Sequence, residues 1–191
     1  MLTGYTANFP TDVLLNMGVL YYSKSGVATK IGVTDGAPDF DPGVTLQDLE
    51  FDGKRCRLKA QTRRVEFKPV IKGTLKEFGP AVSGGQIALI EPGSSEAAPD
   101  GNGTKLVTPK AAGTLHSSSD YISNLRWIFE RGSGGYAAIY FPIAICTKWS
   151  MKGQDKKEAQ ISFEFEAVGD PAADLGTAPY LLEIRTALPT T

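Results

Sequence analysis

Between Ile161 and Ala167 the chain reads Ile-Ser-Phe-Glu-Phe-Glu-Ala, and this stretch restricts the fold more than any other. Successive side chains of an extended strand point to opposite sides. Ile161, Phe163, Phe165 and Ala167 therefore share one face, while Ser162, Glu164 and Glu166 share the other. One face belongs to a core and the other is acidic. Upstream, YAAIYFPIAICTKW is aromatic and β-branched, which suits a strand. The Arg131-Gly-Ser-Gly-Gly segment before it reads as a hairpin turn. Residues 121–130 are ambiguous taken alone, since SSSD would cap a helix and Ile122, Leu125 and Phe129 stand at helical spacing. A hairpin turn needs a partner strand on its other side, so 121–130 is read as strand. With the polar turn MKGQDKKE, this makes three successive antiparallel strands and a mostly β class.

The first third repeats the pattern with more interruptions. Val13 to Tyr22 is β-rich with an internal Gly18, and Val27 to Val33 is expected to pair back to it through Lys24-Ser25-Gly26. A turn-rich loop, DGAPDFDPG, follows, and Leu46 to Phe51 is a short strand. From Arg55 to Gln61 the odd positions are basic or polar (Arg55, Arg57, Lys59, Gln61) and the even ones are Cys56, Leu58 and Ala60. At Arg63-Arg64 the phase slips and Val65 and Phe67 take over the apolar side, which predicts a bulge or bend. Pro69 suits a bend or an edge, because it has no N–H to give to a ladder. Val70 to Phe78 resumes as strand. Residues 79–91 are framed by prolines as a short helix would be, but Gly84-Gly85 weakens it, and the residues alone leave helix and loop both open. Residues 91–104 read as a surface loop. Arms are expected at about 1–12 and about 170–191, with a long loop at about 34–54.

Composition narrows the function classes. The chain has 191 residues, 41% of them hydrophobic, with a net charge of −1, as expected of one ordinary globular domain. That balance argues against a binder relying on overall attraction to nucleic acid. No apolar run approaches the roughly 18 residues of a membrane span, and the N-terminal stretch lacks the pattern of a signal peptide. Cys56 and Cys146 are read as reduced, structural thiols.

Sites of chemistry are sparse. His116 is the only histidine, set among serines in a linker, and is read as a solvated loop residue rather than a triad member. The glycine clusters 132–135 and 101–103 match no phosphate-binding pattern. Asp35, Asp39 and Asp41 miss the calcium-loop spacing, with Pro42 where a ligand would be useful. Arg55, Arg57 and Lys59 share a strand face that would track phosphates, yet no aromatic is interleaved there to stack bases. Glu164 and Glu166 lie about 7 Å apart on one face, but both come from one strand and no cleft is evident. No catalytic constellation, cofactor or metal site is expected.

The succession of segments resembles the major tail tube protein of long-tailed, non-contractile phages. It runs IGVTDG, DFDPG, DLEFDGK and KPVIKGTLKEF, then SDYISNLRWIFERGSGGYAAIYFP, KWSMKGQDKKEAQISFEFEA and DPAADLGTAPYLLEI, covering roughly residues 13–186. The resemblance implies a β-sandwich or partial barrel with one short α-helix at 79–91, a protruding loop and extended arms. It implies a structural, non-enzymatic virion protein in the tail, assembled in the host cytoplasm. Six copies would make a ring, and stacked rings would make a hollow tube for genome passage. The partners implied are tape measure, tail terminator and tail tip proteins, with DNA passing the lumen without specific binding. In that setting Glu164 and Glu166 would line the lumen and repel phosphates. Asp35, Asp39, Asp41 and Asp48, facing Arg55, Arg57, Lys59, Arg63 and Arg64, would mate unlike charges between subunits or rings. A related secretion-system tube and a monomeric small-ligand β-barrel are the alternatives.

Overall fold

The computed structural model describes residues 14–23, 28–31, 34–48, 62–75, 90–91, 93–96, 106–154, 157–172 and 176–188. The strands in order are β1 (Leu14–Ser23), β2 (Ala28–Lys30), β3 (Asp39–Asp41), β4 (Val44–Asp48), β5 (Thr62–Phe67), β6 (Val70–Leu75), β7 (Gly93–Glu96) and β8 (Leu106–Pro109). They continue with β9 (Ile122–Arg131), β10 (Tyr136–Gln154), β11 (Lys157–Ala167) and β12 (Leu181–Arg185). A 3₁₀ turn, Ser118–Asp120, precedes β9. The described protein is mostly β, and every pairing among these strands is antiparallel.

One eight-stranded sheet carries the architecture, in the order β2-β1-β9-β10-β11-β6-β3, with β12 also paired to β10. Two ribbons, β4–β5 and β7–β8, stand apart from it. The expected meander is β9–β10–β11. Its first turn closes where Gly134 N–H donates to Arg131 O at 3.0 Å and Arg131 N–H to Gly135 O at 3.1 Å. The pairing of β2 back onto β1 also matches expectation, with Tyr22 opposite Thr29. Gly18 sits at a bulge in β1 with φ of 73°, a left-handed backbone that glycine adopts without strain. A side chain there would also run into the Trp127 indole.

The sheet curls to bury its apolar face. Phe40, Ile71, Phe165 and Cys146 form a row across β3, β6, β11 and β10. Three strand spacings of about 4.8 Å would hold β3 roughly 14 Å from β10 in a flat sheet. Yet the Phe40 ring lies 6.1 Å from that of Phe141 on β10 and 5.4 Å from Tyr180. Curvature brings edge and centre together, and Phe141, Phe165, Leu20, Ile31, Ile71, Ile122 and Leu125 are fully enclosed. Gly73 leaves room for the Phe163 ring, whose Cζ would lie 2.7 Å from a Cβ at that position. Phe163 and Phe165 in turn stack at 4.8 Å.

β10 is the spine. It pairs with β9 on one side; on the other it pairs with β12 from Tyr136 to Tyr140 and with β11 from Ala144 onward. Pro142 falls in the gap between those partners, where its missing N–H removes no ladder bond. Opposite it, Asn124 takes a positive φ of 54°, which asparagine tolerates, and its Oδ1 accepts from the Tyr140 hydroxyl at 2.6 Å.

Several expectations change. The loop expected at 34–54 also holds β3, because Phe40 between Asp39 and Asp41 follows the period of two and is packed on the core, while the short strand expected from Leu46 begins two residues earlier, as β4. Part of the loop expected at 91–104 is β7, paired with β8. The C-terminal arm contains β12, with Leu182 and Ile184 alternating against Glu183 and Arg185. The phase slip in β5 is real: Thr45 faces Glu66 and Leu46 faces Arg64, so Val65 is bulged out. For that reason Val65 is 47% exposed and does not carry an apolar face. The helix expected at 79–91 lies outside the described residues save at its end, where Ile90 is helical and buried. The 1–12 arm also lies outside them.

Phe165→Ala tests the curled core. Removing a fully enclosed ring leaves a cavity, so unfolding stability should fall by about 3–5 kcal/mol in chemical denaturation, with the transition still cooperative.

Candidate functional site

Glu164 and Glu166 do project from the face opposite the core, as the alternation of β11 requires. Buried Phe163 and Phe165 sit between and behind them. They do not stand as a bare acidic pair. Cross-strand register sets Asp39, Lys72, Glu164 and Lys148 in one row over β3, β6, β11 and β10. Lys72 Nζ lies 3.7 Å from Glu164 Oε2. The neighbouring row is Thr74, Ser162 and Ser150, with the Thr74 and Ser162 hydroxyl oxygens 3.4 Å apart. Asp41, Val70, Glu166 and Ile145 make the row on the other side. A shallow groove of about 520 Å³ runs along these strands, lined by Asp39, Lys72, Thr74, Lys148, Ser162 and Glu164 among others.

The acidic residues expected at interfaces are largely engaged within the chain. Asp35 N–H donates to Thr74 O at 2.7 Å, and its carboxylate accepts from Gln160. Asp41 Oδ1 accepts the Gly43 N–H at 2.9 Å, closing a local turn. Asp48 Oδ1 accepts from the Thr62 hydroxyl at 2.6 Å, tying the ends of the β4–β5 ribbon. Arg63 donates through Nε and Nη2 to Gln47 Oε1 on the same ribbon, at 3.0 and 2.7 Å. Arg64 is exposed, while Arg55, Arg57 and Lys59 lie outside the described residues. Asp39 stands opposite Lys72 in the outer charge row and lines the groove beside it. Among the described residues no three metal-ligating side chains cluster.

His116 belongs to a tethering cluster. Its Nδ1 is 3.6 Å from Asp120 Oδ2, and that carboxylate also pairs with Lys110 and accepts the Ser117 N–H at 2.6 Å. The Ser117 and Ser119 hydroxyls bond each other at 2.9 Å, and Lys110 donates to Ser117 Oγ at 3.3 Å. These serines serve the turn rather than the imidazole. The Lys110 hydrogen bond, reinforced by the Ser117 donors and the Lys110 charge, outweighs desolvation and lowers the Asp120 carboxyl to about 2. Cys146 is a free thiol, half-buried, and burial pushes its pKa up; the neutral thiol is the stable form. Cys56 lies outside the described residues.

Two features escaped the sequence. The first is the outward apolar side of β12: Leu182 is 72% exposed and Ile184 76%, with Leu181 and Leu188 also open to solvent. The other side of the same strand is pinned. Glu183 Oε2 accepts from Arg126 Nε at 3.2 Å and Arg185 Nη1 at 3.0 Å, and the Arg126 guanidinium stacks 4.0 Å over the Tyr140 ring. The LLEIR alternation was the available signal, hidden by the Pro-rich surroundings that suggested an arm. The second is a groove of about 620 Å³ between β5 and the segment 176–179, with Phe67, Ile143 and Pro179 in its wall and Arg64 and Glu66 at its sides.

Among the described residues no helix is long and apolar enough to cross a membrane.

Asp120 supplies a pH test. Its folded pKa of about 2 lies below the ordinary 3.8, so its contribution to stability is complete above pH 4 and is lost as pH falls through 2. Melting temperature followed from pH 5 to 2 should show an acid-labile component that Asp120→Asn removes, with Asp120→Asn already less stable at pH 7.

Compared with known proteins, the chain matches no protein-family model and no curated sequence.

Proposed function

We propose that this chain is a structural subunit of a phage tail tube, self-assembling into hexameric rings that stack into a hollow conduit for genome delivery. The observation that carries the reading is β12. Among the described residues it pairs with β10 on one side and has no strand partner on the other, and it carries a row of exposed apolar side chains, Leu182 and Ile184. Open edges of this kind associate unless they are blunted by charge, proline or a cover. Here the charges of Glu183, Arg126 and Arg185 are spent on one another. A ring built by a repeated heterologous contact turns such an edge into an interface.

The resemblance in segment order supplies the rest of the proposal: the partial-barrel tube fold, the stacking of rings, location in the virion tail, and tape measure, terminator and tip proteins as partners. The role is mechanical and non-enzymatic. A secretion-system tube would use the same edge contact, and the two differ in what passes through. The groove beside β5 favours the one different reading, a monomer that binds a small ligand there.

Negative-stain electron microscopy over a concentration series tests the assignment. Rings or tubes are expected, and Leu182→Asp/Ile184→Asp should abolish them while leaving a folded monomer by circular dichroism. Monomers at every concentration, even after addition of tail-tip complexes as seeds, would overturn the tube reading and turn attention to the groove.

A further inference from the structure

The charged face of β3, β6, β11 and β10 differs from a simple acidic wall. Each lysine in its central row has a carboxylate beside it. Lys72 lies between Asp39 and Glu164, and Lys148 lies beside Glu164. Adjacent strands are about 4.8 Å apart, well inside the roughly 8 Å screening length at physiological salt. A passing polyanion therefore meets the sum of these charges. With Asp39, Asp41, Glu164 and Glu166 against Lys72, Lys148, Lys152 and the Lys68 that lies near Glu166, that sum is close to zero.

We propose that Asp39 and Glu164 act as built-in masks, offsetting the charge of their cross-strand neighbours Lys72 and Lys148 so that a phosphate backbone moves along this hydroxyl-bearing groove without being retained. Nucleic-acid affinity comes largely from counterions released when lysines neutralise phosphates. A lysine beside a fixed carboxylate adds no net positive charge, so it does not displace the cations condensed on the nucleic acid, and contact with phosphate brings little gain. The hydroxyls of Thr74, Ser150 and Ser162 in the next row keep the surface hydrated without adding charge. Masking differs from repulsion in its consequence. Neutralising the carboxylates should create a binding site, because the lysines are already in place. This inference rests on the tube reading only for which polyanion passes; the chemistry belongs to the face itself.

Exposed ion pairs of this kind contribute little to stability, so the variants should fold. Binding of a fluorescent duplex DNA would be followed by anisotropy, at low and physiological salt, for four proteins. These are the parent, Asp39→Asn/Glu164→Gln, the same pair combined with Lys72→Gln/Lys148→Gln, and Lys72→Gln/Lys148→Gln alone. The mask predicts that the first pair binds DNA at least about tenfold more tightly than the parent at low salt. The added slope in a plot of log affinity against log salt should be about −2, one unit for each released lysine. Removing the two lysines should erase the gain, and removing them from the parent should change nothing. A carboxylate-neutralised variant that binds no better than the parent would overturn the proposal, as would a gain that survives loss of both lysines. Microscopy of the parent separates the two readings: failure to form tubes alongside a lysine-dependent gain would sink the tube and leave the mask standing.

Discussion

The contact between Phe40 at the edge of the sheet and Phe141 near its middle governs this structure. Antiparallel strands on their own make a ribbon with two wet faces, and only curvature lets one face bury itself. Here the row Phe40–Ile71–Phe165–Cys146 folds toward Phe141 and Tyr180 until the apolar side chains exclude water. Once that face is closed, everything on the alternate positions must point outward. The charge row exists because the core row lies beside it on the same strands.

The length of β10 is the second condition. Nineteen residues in one strand are several times the usual run, and such a strand can serve different partners along its course. Pro142 marks the change from β12 to β11. Further on, Thr147 is an extra residue in the ladder, so that Lys148 rather than its neighbour stands opposite Glu164. Beyond this bulge the positions on the core side are Trp149 and Met151, which remain partly open, and the Trp149 indole donates to Glu91 at 2.7 Å. One bulged residue thus sets both the charge pairing of the outer face and the fraying of the core.

Much of the fold was legible where side-chain alternation was clean. The β9–β10–β11 meander, the pairing of β1 with β2, the break at Pro69 and the phase slip near Arg64 all follow from period-two patterns or from proline's missing donor. Strands were missed where the signal was short. Three residues, Asp39 to Asp41, look like a loop because proline and glycine surround them, yet burying Phe40 outweighs that local preference. The same holds for β12, whose alternation spans only five residues. At the outer face, Glu164 and Glu166 could be assigned a side but not a neighbour.

The sequence by itself determined the class, the meander and which side of each long strand is polar. These depend on the chemistry of residues one or two positions apart. Only the tertiary structure decided that Lys72 and Lys148 flank Glu164, that Asp39 joins them, and that Leu182 and Ile184 end exposed to solvent on β12. Cross-strand register depends on bulges and on the curvature that brings remote segments together. A bulge of one residue at Thr147 or Val65 carries no mark in composition, yet it decides which charges meet.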